Sequence, residues 1–258
     1  MSDIRSLGGE ILEHLRFYSK LGVRLAMKKP GAAQQGGAAA TAFSRKQPPG
    51  TAASPPPHLT LPGASLFDEQ PLAQEELQVI RADLGDCQRC KLARTRTHIV
   101  FGSGNQKAEL MFVGEAPGAD EDEQGLPFVG RAGQLLTKII QAIDMRREDV
   151  YICNILKCRP PQNRNPESDE IAACQPFLFR QIASVQPRVI CALGTFGAQT
   201  LLRTKEPISR LRGQFIDFRG AKFIATFHPA YLLRNPYEKR KVWEDVQKIR
   251  DYLLSFRS

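Results

Sequence analysis

Four short apolar runs set the strongest limit on what this chain can become. They are "ELMFVG" at Glu109–Gly114, "VYICNI" at Val150–Ile155, "RVICAL" at Arg188–Leu193 and "KFIATF" at Lys222–Phe227. Each has strand length, and the stretches between them carry helical periodicity, at Ala132–Ile143, Ser168–Val185 and Phe196–Leu202, with a last one at Tyr237–Phe256. Ser168, followed by Asp169 and Glu170, reads as an N-cap with an acidic first turn. Strands alternating with helices predict an α/β fold, a three-layer α/β/α arrangement around a central, mainly parallel four-stranded sheet. Sites in such sheets form beyond the carboxyl ends of the strands. Three of the runs finish there in polar or special residues: Gly114-Glu115, Asn154 and His228.

The remainder divides by composition. Residues 1–29 place Ile4, Leu7, Ile11, Leu15, Tyr18 and Leu21 at helical spacing, an amphipathic helix that fits docking to a partner protein, docking to a membrane surface, or local packing alone. Residues 30–74 are rich in Ala, Gly, Pro, Gln and Ser and bury too little apolar surface to offset their ordering entropy, so a disordered linker is expected. Residues 75–258 are the globular domain. No apolar run reaches the length of a membrane span, and Met1–Gly31 lacks the apolar core and cleavage site of a signal peptide, so a cytoplasmic protein is the default, and a monomer is expected. The formal net charge of +9 favours a polyanionic partner such as nucleic acid.

Six cysteines in a cytosolic setting point to metal or redox chemistry rather than disulfides. Cys153 and Cys191 sit inside strand runs and read as core. Cys87 and Cys90 form a C-x2-C in the polar segment "DLGDCQRCKLARTR", with Cys158 and Cys174 far downstream. Four thiolates suit tetrahedral zinc or an iron–sulfur cluster, and spacing alone leaves both open. The histidines His14, His58 and His98 lack any setting comparable to that of His228 at a strand end.

"GEAPGADEDEQGLPFVGRAG", "NILKCRPPQNRNP" and "HPAYLLRNP", taken with cysteines 87, 90, 158 and 174, resemble the family 4 uracil-DNA glycosylases over roughly residues 76–257. That resemblance implies an enzyme of base excision repair that flips uracil from single- or double-stranded DNA, hydrolyses its N-glycosidic bond and leaves an abasic site. It implies a structural [4Fe–4S] cluster on Cys87, Cys90, Cys158 and Cys174, with zinc the alternative. A uracil pocket would be built from Gly114, Glu115, Ala116, Phe128, Asn154 and His228. Phe128 would stack on the flipped ring and Asn154 would read O4 and N3. His228 would bond O2 as charge builds on the leaving base. Related families place a water-activating Asp where this chain has Ala116. Glu115 is therefore the first choice for that role and Glu121 the second.

Most of the charges of Asp120–Glu123 are expected to be solvated loop charges. DNA contacts are expected from Arg94, Arg96, Arg159, Arg164 and Arg234, with Lys91 and Lys157 nearby in sequence, and Leu232 or Leu233 as a wedge filling the gap left by the base. A related group traps the abasic sugar covalently through a His in an Arg-rich insertion. "KCRPPQNRNPESDE" has neither the His nor the insertion, so turnover is expected.

Overall fold

The computed structural model describes Ser19 and residues 75–257. The expected N-terminal helix (apart from Ser19, which is helical) and the linker lie outside the described residues. Six strands there form one sheet in the order β1-β3-β2-β4-β6-β5. The strands are β1 (Ser103–Gly104), β2 (Leu110–Gly114), β3 (Tyr151–Asn154), β4 (Val189–Leu193), β5 (Ile216–Phe218) and β6 (Ala221–Thr226). The four expected strands are β2, β3, β4 and β6, and all pair in parallel. The expected count of four is corrected to six, because two short antiparallel strands close the edges, β1 on β3 and β5 on β6. At two and three residues these edge strands carry too little pattern to register as periodic runs.

Side chains alternate along each parallel strand and bury both faces. Met111, Val113, Cys153, Ile190, Ala192, Phe223 and Ala225 face one core. It is covered by α1 (Leu77–Leu84), α4 (Ser168–Val185) and α5 (Gly194–Leu202). Leu110, Phe112, Ile152, Val189, Cys191 and Ile224 face the other, covered by α3 (Arg131–Ala142) and α8 (Lys239–Leu254). Two sheet faces buried under helices give the expected three layers, each fully buried aliphatic side chain contributing about 1.5–3 kcal/mol. Cys153 and Cys191 are fully buried, as core residues should be.

Two expectations about helices change. Ser168 is the first helical residue and Glu167 is the cap, since the Glu170 carboxylate accepts the Glu167 backbone N–H at 2.9 Å. The acidic run also folds, as α2 (Ala119–Gln124), rather than remaining a loop. The short helices α6 (Ile208–Leu211) and α7 (Pro229–Arg234) complete the set. None of the described helices is long and apolar enough to cross a membrane.

Candidate active site

Parallel pairing puts Gly114, the last residue of β2, in register with Asn154, the last of β3. Beyond these ends, and beyond β6, lies a cleft of about 400 Å³ whose walls include Glu115, Ala116, Glu121, Phe128, Asn154, Arg164, His228 and Arg234. Residues separated by more than a hundred positions meet here because parallel strands all deliver their carboxyl ends to one rim.

Gly114 is required by close approach. A Cβ there would lie 2.3 Å from Asn154 Oδ1 and 2.6 Å from Phe128 Cζ, so any side chain would displace both. Asn154 is 1% exposed and its Oδ1 has no hydrogen-bond donor. An acceptor left bare in a buried site typically costs about 1–3 kcal/mol, unless a ligand supplies the missing donor. The backbone behind it is pinned: Lys157 Nζ donates to Asn154 O at 2.7 Å and to Gln181 Oε1 at 2.5 Å. Gln181 in turn donates to Phe101 O at 2.9 Å. Lys157 is therefore wholly buried and unavailable to DNA.

Phe128 is buried yet adopts φ 52°, a left-handed conformation that a bulky side chain takes only when its surroundings impose it. Its ring centroid stands 5.6 Å from that of His228, the planes inclined at 36°. His228 caps α7. The Ala230 backbone N–H donates to His228 Nδ1 at 3.1 Å, so the neutral ring carries its proton on Nε2. Burial, aided by the Arg234 charge, lowers its pKa to about 4. Gly194, at φ 88°, lets the chain pass close behind, where a Cβ would stand 3.0 Å from His228 Cβ.

The two candidate carboxylates differ. Glu115 is half-buried, and burial alone pushes its pKa above the ordinary carboxylate value. Glu121 also lines the cleft, but both its oxygens are occupied. Oε2 accepts from Gly118 N at 3.0 Å, and Oε1 accepts from Val129 N at 2.9 Å and Gly130 N at 3.0 Å. Three backbone N–H groups thus tie the Glu121 carboxylate to the loop around Phe128. Asp122, 4% exposed, accepts from Thr97 N at 2.9 Å. Two members of the acidic run are thus structural anchors, not solvated charges.

The expected DNA-contact residues disperse. Arg164 and Arg234 stand on the cleft wall, Arg234 exposed and Arg164 in a bidentate pair with Glu170. Arg159 is partly buried and donates to Asn163 Oδ1 at 2.8 Å. Arg94 is exposed and off the cleft wall. Arg96 is corrected: its side chain is 6% exposed, donating to Cys87 O at 2.7 Å and approaching Cys158 Sγ at 3.5 Å, and so serves the cysteines. Leu232 is corrected too, since at 1% exposed it belongs to the core under α7, while Leu233 is 39% exposed. The Pro/Asn-rich turn supplies wall residues that the sequence reading passed over, Pro160, Asn163 and Asn165. Its signal was the Asn content, which tolerates the positive φ found at Asn163.

Cys87 and Cys90 pack against the core containing Cys158 and Cys174. Three of the four sulfurs receive N–H donors: Cys174 from Lys157 N at 3.2 Å, Cys158 from Arg96 Nη1 at 3.5 Å and Cys87 from Arg89 Nη1 at 3.4 Å. Among the described residues no group of three ligand-type side chains closes on a single ion-sized point, so the fit of a metal rests on this donor set.

Residues 101–247 match the model of the uracil DNA glycosylase superfamily. A type-4 uracil-DNA glycosylase of Saccharolobus solfataricus is 45% identical over 190 residues, covering 70% of this chain and 88% of the relative. That of Thermotoga maritima is 45% identical over 184 residues, covering 70% and 96%. The chain belongs to the type-4 uracil-DNA glycosylases. A type-5 uracil-DNA glycosylase of Pyrobaculum aerophilum is more distant, at 30% over 146 residues, 50% of this chain and 64% of the relative. As a type-4 uracil-DNA glycosylase, the protein is a hydrolase that excises uracil from DNA in repair.

Proposed function

We propose that the cleft receives one uracil swung out of DNA and that Asn154, Phe128, His228 and Glu115 recognise and release it. The observation that carries this reading is the undonated Oδ1 of Asn154. Uracil N3–H supplies the missing donor, while uracil O4 accepts from the Asn154 Nδ2. Cytosine has no N3–H and offers a donor where O4 would be, so in this amide orientation it leaves buried groups unpaired. Phe128 offers the stacking face.

As the bond from uracil N1 to the sugar C1′ breaks, its electron pair passes to the base and spreads onto O2. The Nε2–H of neutral His228 is a preorganised donor to that oxygen. A water adds to C1′ and gives its proton to Glu115, whose raised pKa suits a base and whose negative charge before that transfer favours the cationic sugar. The uracil anion takes up a proton at N1 to match the one that Glu115 received and then gives up, so the products are free uracil and an abasic site. Arg164 and Arg234 on the cleft wall, and Arg94 and Arg159 beyond it, would hold phosphates, and Leu233 rather than Leu232 is exposed to fill the vacated stack.

The four cysteines would hold a [4Fe–4S] cluster in preference to zinc, supported by the N–H donors to their sulfurs and the Arg89 and Arg96 charges beside them. Its contribution would be structural, tying the Cys87–Cys90 segment and α4 to the chain leaving Asn154.

Purified protein is expected to release uracil from uracil-containing DNA over many turnovers, and Asn154→Asp to erode its preference over cytosine. Unchanged preference in that variant would overturn the role of Asn154.

A further inference from the structure

The strained backbone of Phe128 is gripped from both sides by groups on two different elements. Ahead of it, the Pro127 carbonyl accepts from Arg147 Nη2 at 2.5 Å. Behind it, the Val129 and Gly130 N–H groups both donate to Glu121 on α2. Arg147 is itself fixed to α3 through Nη1 and Thr137 Oγ1 at 3.2 Å, and Thr137 donates to Gly133 O at 3.1 Å. Gly133 is the residue whose missing Cβ makes room for the Phe128 carbonyl, which would otherwise lie 1.8 Å away. Arg147 comes from the turn Arg147–Asp149 that leads into β3, the strand ending at Asn154.

A left-handed Phe costs about 1–3 kcal/mol, and the chain would relax if either grip were released. Relaxation would swing the ring away from its place opposite His228 and beside Gly114. We infer that Arg147 and Glu121 form a clamp that holds Phe128 in its stacking pose, making Arg147 a positioning residue for base recognition. This rests on the stacking role proposed above for Phe128. Arg147 has no place on the cleft wall, so it acts only through the loop.

The test is a double-mutant cycle on full-length protein, measuring single-turnover uracil excision and inhibition by free uracil. Arg147→Met is expected to lower excision about tenfold and to weaken inhibition by free uracil. In a Phe128→Ala background the same change should have almost no further effect on either, because the ring it positions is gone. Arg147→Lys, which keeps one donor for Pro127 O, should recover part of the loss and serves if Arg147→Met does not fold. A purely structural Arg147 would instead lower the melting temperature while leaving excision and inhibition equally affected with or without Phe128, and that additive result overturns the inference. Phe128→Ala alone separates the two levels: if it excises at the normal rate, the stacking role itself fails. If it is impaired while both Arg147 variants excise normally, the clamp alone fails.

Discussion

Acidification offers a sharp test of the chemistry, because the structure assigns His228 a neutral ring where an ordinary histidine would be charged. Its pKa is lowered from 6.5 to about 4, chiefly by burial and secondarily by Arg234. At about pH 5.5 an unperturbed histidine is mostly protonated, whereas His228 stays mostly neutral. The Ala230 N–H on Nδ1 adds a geometric reason, since a second proton would have to displace that bond. NMR titration of the ring, assigned by loss of its signal in His228→Gln, is expected to show no transition between pH 7.5 and 5.5, with the proton on Nε2. In Arg234→Ala the midpoint should rise, though not to 6.5, because burial is the larger cause. The same shift has a signed effect on stability. The unfolded chain takes up a proton below about pH 6.5 and the folded one does not, so stability is full above that pH. As pH falls to about 4, roughly 3 kcal/mol is lost at most. A wild-type His228 that titrates near 6.5, or carries its proton on Nδ1, would refute the neutral-donor argument.

Other outcomes follow from the same geometry. His228→Ala should lower the rate of excision by about 10²–10³ while binding of uracil-containing DNA changes far less, measured by single-turnover kinetics and direct binding. Gly114→Ala should lose excision and lower stability by about 1–3 kcal/mol, because the added methyl enters the space of Asn154 Oδ1 and Phe128; full activity would mean the base does not sit there. Leu232→Ala should destabilise by about 2–5 kcal/mol in denaturant unfolding, whereas Leu233→Ala should leave stability intact and weaken DNA binding. Cys158→Ser should abolish any iron, sulfide and visible absorbance of anaerobically isolated protein and lower its melting temperature. Stoichiometric zinc in the wild type would exclude the iron–sulfur assignment.

Much of this was determined along the chain itself. A parallel strand buried on both faces must be apolar throughout, so β2, β3, β4 and β6 announce themselves, and their ends name Gly114, Asn154 and His228 as site residues. Glycines, prolines and the C-x2-C spacing are likewise local signals. What only the tertiary structure decided is how each polar group is spent. Glu115 and Glu121 are indistinguishable as letters, yet one is left half-buried without a hydrogen-bonded partner among the described residues and the other is held by three backbone N–H groups. Arg96 and Arg234 are equally basic in sequence, but one is enclosed beside the cysteines and the other faces the cleft. Leu232 and Leu233 are adjacent and opposite in fate, because one turn of helix points successive side chains in different directions. Composition and periodicity fix which face of an element is buried; the partners of a charge depend on segments folded in from elsewhere, and no local pattern encodes them.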